Sequence, residues 1–102
     1  MKIMSVVAVK PIEGHIDKIV DLITQDRKSG IEGLEIYTIV HSREGELVII
    51  NQWSSIDSFV NYVHGPHNMI ELIENFCERY DEENVSRAYS GAILHQEMSE
   101  LK

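Results

Sequence analysis

The period at which apolar residues recur changes several times along this chain, and the order of these changes constrains the fold more than any other feature. Residues 3–9 are almost all apolar, which is typical of a strand covered on both faces. After Pro11 and Gly14 the spacing changes to three and four residues, which predicts an amphipathic helix ending near Lys28. The apolar stripe of this helix consists of Ile16, Ile19, Val20 and Ile23.

Two more strands are predicted after this helix. Residues 34–41 and 47–53 are rich in β-forming residues, and residues 42–45 between them are typical of a hairpin loop. The second of these strands ends at Trp53, the only tryptophan of the chain. Asn51 lies in the same strand among apolar neighbours, so its amide must be hydrogen-bonded if it is buried.

Two helical segments and a last strand complete the pattern. Ser54 or Ser55 can cap a helix whose apolar stripe consists of Ile56, Phe59, Val60 and Val63. Gly65 and Pro66 interrupt it, and a second helix is predicted to begin near His67. Its inward side chains would be Met69, Ile70, Ile73, Phe76, Cys77 and Tyr80. Residues 85–94 are predicted to form the last strand.

The resulting order is strand, helix, strand, strand, helix, strand, which is the ferredoxin-like βαββαβ plan of an α+β fold. It predicts a four-stranded antiparallel sheet with both helices on one face. No linker divides residues 1–102, and this length suits a single domain with one modest core.

The face of the sheet opposite the helices is also predicted to be apolar. Alternate residues of a strand point to opposite faces of the sheet. In the first strand Val6 and Ala8 point away from Val7 and Val9, yet all four are apolar. In the third strand Val48 and Ile50 point away from Ile49, and these three are apolar too. An apolar face of several hundred Å² is too large to leave in water. We therefore expect a homodimer in which this open sheet face packs against that of a second copy.

Composition excludes some classes of partner. The net charge of −8, from 17 acidic and 9 basic residues, argues against binding nucleic acid or an anionic membrane surface. No apolar run approaches membrane-spanning length and no signal peptide is evident, so the expected location is the cytoplasm. The single cysteine, Cys77, falls at an apolar-periodic position and is expected to be a buried structural thiol.

Several polar and aromatic residues are candidates for a binding or catalytic site. His67 can accept or donate a proton near neutral pH, although a helix-start histidine can also serve only a structural role. Trp53 can be core or the wall of a pocket for a flat ligand. The remaining candidates are Asn51, Tyr37, Tyr62, Tyr89 and His64. No metal site is predicted, because no Asp, Glu or Cys completes one beside His64 and His67.

The chain resembles the antibiotic biosynthesis monooxygenase family of the dimeric α+β barrel superfamily over roughly residues 3–80. The matching features begin with the Pro11-x-x-Gly14 opening of the first helix and the Gly33-x-x-x-Tyr37 strand. They continue with the apolar strand that closes on Trp53, the Ser55-x-x-x-Phe59-x-x-Tyr62 helix and the Gly65-Pro66-His67 sequence. The resemblance implies a dimeric barrel and, for some members, oxygenation without a cofactor.

The sequence departs from this family at two informative positions. Asn51 stands where an acidic residue is frequent, and Tyr62 stands where a histidine is frequent. The heme-degrading branch has a first-strand Asn, a helix Trp and a later His. In this chain the first strand offers Val6, Val7 or Ala8 in place of the Asn, and Tyr62 stands in place of the helix Trp. The region of the later His corresponds to Glu71 and Leu72.

The resemblance implies a cofactor-independent monooxygenase that uses O₂ on a small phenol or hydroquinone. His67 would be the base, Asn51 or a tyrosine hydroxyl would hold the anion, and Trp53 would be an aromatic wall. The alternative is a non-catalytic dimeric barrel that binds a small hydrophobic ligand or heme. The identity of the substrate and the presence of catalysis stay open at this point.

Overall fold

The computed structural model describes residues 1–65 and 68–99. Within these two ranges, nine elements follow one another. They are β1 (Ile3–Pro11), α1 (Ile16–Lys28), β2 (Leu34–His41), β3 (Leu47–Trp53), α2 (Ile56–Val63), α3 (Met69–Ile73), a 3₁₀ turn (Glu74–Phe76), β4 (Cys77–Glu78) and β5 (Ser86–Ala92). None of the helices in these two ranges is long and apolar enough to cross a membrane.

The strands form one antiparallel sheet with β1 near its centre. The order is β2-β3-β1, and residues 3–9 of β1 pair on their other side with β5. The remaining residues of β1, Lys10 and Pro11, pair with Glu78 and Cys77 of β4. The α+β, ferredoxin-like fold with helices on one face is confirmed, but the sheet has five strands, because β4 adds a short strand beyond the four predicted.

The core lies between the helices and one face of the sheet. Paired residues of β1 and β3 face the helices together, since Val7 lies opposite Ile49 and Val9 opposite Leu47. Apolar residues of α1 and α3 cover them, and Ile19, Ile23 and Ile73 are fully buried. This arrangement is what the helical and strand periods predicted, because each presents one apolar face to the other.

The second helical segment is much shorter than predicted. It ends at Ile73, and the chain then passes through the 3₁₀ turn into β4 instead of continuing to Tyr80. The physical reason is the pairing of Cys77 with Pro11, together with an Ile12 N–H that donates to the Phe76 carbonyl at 2.9 Å. Tyr80 therefore lies in the loop after β4, where its hydroxyl donates to Glu46. The predicted start at His67 lies outside the described residues.

No helix of the described residues lies over the opposite face of the sheet. Val6, Ala8, Val48 and Ile50 are only half-buried there. Near the β2 edge, Ile36 is 57% exposed and Val40 is 41% exposed. The sheet of the single chain is open rather than closed on itself, so the dimeric barrel and the homodimer stay predictions.

Candidate functional site

A cavity of about 340 Å³ lies between the sheet and the helices α2 and α3. Its walls are mainly apolar and aromatic, and polar side chains of β1, β3 and α1 reach it from the core. The lining residues from the helices are Arg27, Phe59, Tyr62, Val63, Asn68, Met69, Ile70 and Glu71. The lining residues from the strands are Ser5, Val7, Asn51, Trp53, Ser86, Ala88, Tyr89 and Ser90.

Local capping interactions aim the helices at this cavity. The Ser55 hydroxyl accepts the Ser58 N–H and starts α2, so that Phe59, Tyr62 and Val63 fall on one side of the helix. The Asn68 side chain likewise accepts the Glu71 N–H at 3.1 Å and starts α3. Each cap sets the residue at which its helix begins, and thereby which aromatic and apolar side chains of the helix face the cavity.

Three side chains on neighbouring strands form a polar group at the base of the cavity. Ser5 lies opposite Asn51 in the sheet, and both are at least 96% buried. The Asn51 amide donates to the Ser5 hydroxyl at 3.3 Å, and the Trp53 indole N–H donates to the same oxygen at 3.0 Å. Trp53 is 1% exposed. Trp53 is thus part of the core and also lines the cavity, and its contact with a flat ligand stays a prediction.

Arg27 of α1 joins this group and was not identified from the sequence. One terminal nitrogen donates to the Tyr62 hydroxyl at 2.9 Å and to the Asp26 carboxylate at 3.2 Å. The other donates to the Asn51 amide oxygen at 3.3 Å. A signal existed, because residue 27 is four positions after Ile23 and continues the apolar stripe of α1. A cation on a buried stripe requires partners inside the protein.

The aromatic rings around Arg27 complete the polar base. Its guanidinium carbon lies 5.3 Å from the centre of the Tyr62 ring and 5.6 Å from that of Tyr37, within the range of cation–π attraction. Burial raises the pKa of the Tyr62 hydroxyl, and the hydrogen bond from Arg27 partly offsets that rise. The Tyr62 hydroxyl is therefore neutral at physiological pH.

The aromatic wall is formed by residues that are close together in space. The centre of the Trp53 ring lies 5.3 Å from that of Tyr62 and 5.9 Å from that of Phe59. Tilted rings at these separations are a favourable aromatic arrangement. Of the residues predicted from the sequence, Asn51, Trp53 and Tyr62 are thus brought together at one cavity.

The other predicted site residues lie elsewhere or outside the described part. Tyr37 contacts Arg27 but does not line the cavity, and His64 is exposed at the end of α2. Tyr89 borders the cavity, but it pairs with Val6 and is 74% exposed, so its side chain lies on the open face. His67 lies outside the described residues, and its neighbour Asn68 lines the cavity. The roles of all these residues stay predictions.

The described lining does not fit heme. Its side chains of a type that ligates heme iron are Tyr62, Met69 and Tyr89. Arg27 donates to the Tyr62 oxygen and, at 3.6 Å, to the Met69 sulfur, so its positive charge lies beside both atoms that would have to coordinate the iron. The third side chain, Tyr89, lies on the open face of the sheet. Within residues 1–65 and 68–99, no group of three or more His, Cys, Asp or Glu side chains could hold a metal ion.

Cys77 lies in the core and does not line the cavity. It is 7% exposed, and its thiol donates to the Ile73 carbonyl at 3.3 Å. Burial raises the pKa of the thiol to about 11. Because the thiolate is the nucleophilic form, this cysteine is a structural residue at neutral pH.

Solved structures resemble this chain at low sequence identity. No protein-family model matches the sequence, and no curated protein matches it. A protein from Chloroflexus aurantiacus that bears the name antibiotic biosynthesis monooxygenase aligns with a TM-score of 0.72 at 11% identity, covering 96% of this chain and 98% of that one. SnoaB, a cofactor-independent oxygenase from Streptomyces nogalater, aligns with a TM-score of 0.72 at 11% identity, covering 93% and 95%.

A heme-degrading protein from Mycobacterium tuberculosis aligns with a TM-score of 0.67 at 10% identity, covering 96% of this chain and 100% of that one. At such identities a structural likeness establishes the fold, whereas activity depends on the residues of the site. The resemblance predicted from the sequence is thereby confirmed, and this chain has the fold of the antibiotic biosynthesis monooxygenase proteins.

Proposed function

We propose that this protein is a cofactor-independent monooxygenase that uses O₂ to oxidise a small aromatic phenol or hydroquinone. The observation that carries this proposal is the cavity, which combines an aromatic wall with one buried cation at its base. Trp53, Phe59 and Tyr62 offer flat surfaces to a planar ring. Arg27 stabilises negative charge that develops on the ring oxygen.

The reaction needs no external electron donor when the substrate is a hydroquinone. A base removes one phenolic proton, and the phenolate transfers one electron to O₂. The resulting radical pair combines through a new carbon–oxygen bond at the adjacent ring carbon, and protonation gives a hydroperoxide. The oxygen–oxygen bond and the ring carbon–hydrogen bond then break and water leaves. One hydroquinone and one O₂ give one hydroxyquinone and one water.

Each role in this mechanism is assigned to a candidate residue. His67 is proposed as the base, because it is adjacent in sequence to the cavity residue Asn68 and an imidazole accepts a proton near neutral pH. Asn51 fixes the guanidinium of Arg27 through its amide oxygen. The apolar walls exclude water, which strengthens the attraction between Arg27 and the phenolate.

A binding protein without turnover is the second candidate function. One observation favours it, because the polar atoms of the base are already bonded to one another. Arg27 donates to Tyr62, Asp26 and Asn51, while Ser5 accepts from Asn51 and Trp53. Such a network can form the base of a pocket that binds a hydrophobic ligand without taking part in a reaction. Heme as its ligand is disfavoured by the position of Arg27.

Oxygen uptake by the purified protein tests the oxygenase. We expect consumption of one O₂ per hydroquinone, with one atom of ¹⁸O₂ found in the quinone product, at a rate above that of spontaneous oxidation. His67→Ala should lower turnover by about 10²-fold or more, the range for loss of a general base, with little change in thermal stability.

His41→Ala is the matched control, since His41 is exposed at the end of β2. Equal rates for the wild type and His67→Ala would remove His67 from the mechanism. Hydroquinone binding without oxygen uptake would favour the binding protein. A Soret band at stoichiometric hemin would instead support the heme alternative.

The homodimer through the open sheet face belongs to the same proposal. It would leave the cavity on the helical side of each chain, because Ser5, Asn51 and Trp53 face away from the open face. A second copy is the only macromolecular partner proposed. The net charge of −8 disfavours nucleic acid and anionic membranes.

A further inference from the structure

Arg27 is a buried cation with a single, partly exposed carboxylate partner among the described residues. Its side chain is 2% exposed. Among the described residues, its one carboxylate partner is Asp26, at 3.2 Å and with a side chain that is 20% exposed. The other partners, Tyr62, Asn51 and Met69, are neutral. Because Asp26 is partly exposed and the other partners are neutral, an anion placed against Arg27 would add an electrostatic attraction that these contacts do not supply.

The three nitrogens of the Arg27 guanidinium differ in how well they are hydrogen-bonded. The nitrogen that contacts Tyr62 and Asp26 donates at 2.9 and 3.2 Å. The other terminal nitrogen makes longer contacts, 3.3 Å to Asn51 and 3.6 Å to the Met69 sulfur, a weak acceptor. Within the described part of the chain, the buried Nε has no partner. Nε and this second nitrogen form the edge of the guanidinium that pairs with both oxygens of a carboxylate.

Met69 contacts one nitrogen of this edge and also lines the cavity. Its sulfur is the weakest partner of Arg27. A methionine side chain has three rotatable bonds and moves aside at low cost. A carboxylate that replaces the thioether would gain two charge-assisted hydrogen bonds.

The rest of the cavity selects a small, flat and mostly apolar ligand. Its volume of about 340 Å³ is near the lower end of the ~300–1,000 Å³ range of ligand sites. Trp53, Phe59 and Ile70 supply ring-sized apolar surface. The ligand is therefore a single aromatic ring.

The overall charge of this protein does not favour binding of an anion. The chain carries a net charge of −8, and the exposed Glu71 borders the cavity. Both repel an approaching carboxylate. A preference for an anionic ligand would have to arise locally, at Arg27.

We propose that the cavity recognises an aromatic carboxylate, with the carboxylate paired to Arg27 and the ring against Trp53 and Phe59. The proposal deepens the proposed function and rests on it for the identity of the substrate, which becomes a phenolic or hydroquinone carboxylic acid. Arg27 is then a specificity-determining residue, and its positive charge acts both on the carboxylate and on a ring oxygen adjacent to it, the role given to it in the proposed function.

The test compares two ligands of nearly equal shape that differ in charge, 2,5-dihydroxybenzoate and 2,5-dihydroxybenzamide. Isothermal titration calorimetry is carried out on the full chain under nitrogen. We expect the wild type to bind the carboxylate about tenfold or more tighter than the amide, as a charge-assisted pair gives. In Arg27→Met this ratio should fall to about one.

Arg43→Met is the matched control, because it removes the same charge from an exposed loop position and should keep the ratio. Tighter binding of the amide by the wild type, no binding of the carboxylate at millimolar concentration, or an unchanged ratio in Arg27→Met would each overturn the proposal. If Arg27→Met does not fold, the comparison of the two ligands on the wild type still decides.

Measurement of oxygen uptake distinguishes the proposed carboxylate site from the proposed oxygenase activity. Carboxylate preference without oxygen uptake would refute the oxygenase and keep the anion site at Arg27. Oxygen uptake with hydroquinone but no preference for the carboxylate would support the oxygenase and refute the anion site at Arg27.

Discussion

At the scale of single residues, the site is organised by a few buried polar atoms. Arg27 connects Asn51 on β3 with Tyr62 on α2, and Asn51 in turn connects to Ser5 on β1. The sequence analysis recognised Asn51 as a polar residue that needs partners, but it did not find Arg27. Partners 24 and 35 positions apart in sequence are brought together only by folding.

The hydrogen bond between Arg27 and Tyr62 should contribute measurably to stability. Tyr62→Phe removes the hydroxyl that accepts from Arg27 at 2.9 Å while keeping the ring. We expect the free energy of unfolding to fall by about 1–2 kcal/mol, because a buried cation loses an acceptor. Urea unfolding followed by circular dichroism measures the change.

Tyr37→Phe serves as the control for this substitution, because the Tyr37 ring also lies against Arg27, whereas the guanidinium donates to the hydroxyl of Tyr62. It should change the free energy by less than about 0.5 kcal/mol. Equal effects of the two substitutions would contradict a structural role for the Tyr62 hydroxyl.

At the scale of elements, close contacts set the positions of the helices around the cavity. The turn before β2 touches α2, where Gly33 lies against Ser58. The Ser54 N–H also donates to the Gly33 carbonyl at 2.7 Å. This contact positions the start of α2, and with it Phe59 and Tyr62.

A side chain at residue 33 should disturb this packing. Gly33 has a φ of +81°, and a Cβ there would overlap the Ser58 side chain. We expect Gly33→Ala to lower the free energy of unfolding by about 2–4 kcal/mol, from left-handed backbone strain and steric overlap together. Thermal or urea unfolding measures the loss.

Gly30→Ala separates the two causes, because Gly30 has a φ of +85° and no atom within 4 Å of an added Cβ. It should cost about 1–2 kcal/mol, the backbone term alone. A cost for Gly33→Ala no larger than that for Gly30→Ala would show that the contact with Ser58 is unimportant.

At the scale of the whole molecule, the uncovered face of the sheet is the feature with the largest consequence. Its centre consists of the apolar residues Val6, Ala8, Val48 and Ile50, and no helix in the described part of the chain covers them. The helices lie on the other face with the cavity. A homodimer through the open face, and residues 1–102 as one antibiotic biosynthesis monooxygenase-like domain in the cytoplasm, remain predictions.

A charge at the centre of the open face should separate the predicted dimer. We expect light scattering coupled to size exclusion to give a dimer for the wild type and a monomer for Ile50→Lys, because burying a lysine charge among apolar side chains is costly. Gln25→Lys adds the same charge at an exposed position of α1 and should leave the dimer intact. A monomeric wild type at micromolar concentration would refute the predicted interface.

The sequence by itself determined the order and type of the main elements, the helix-covered sheet and the resemblance that the solved structures confirmed. These follow from local periodicity, which the chain carries in neighbouring residues. Tertiary structure alone decided three features. Pairing with β1 ended α3 at Ile73 and created β4, since long-range hydrogen bonds outweighed the helical pattern. The fold also placed Arg27 beside Asn51 and Tyr62, and it put Tyr89 on the open face, because only packing decides which distant side chains share a cavity.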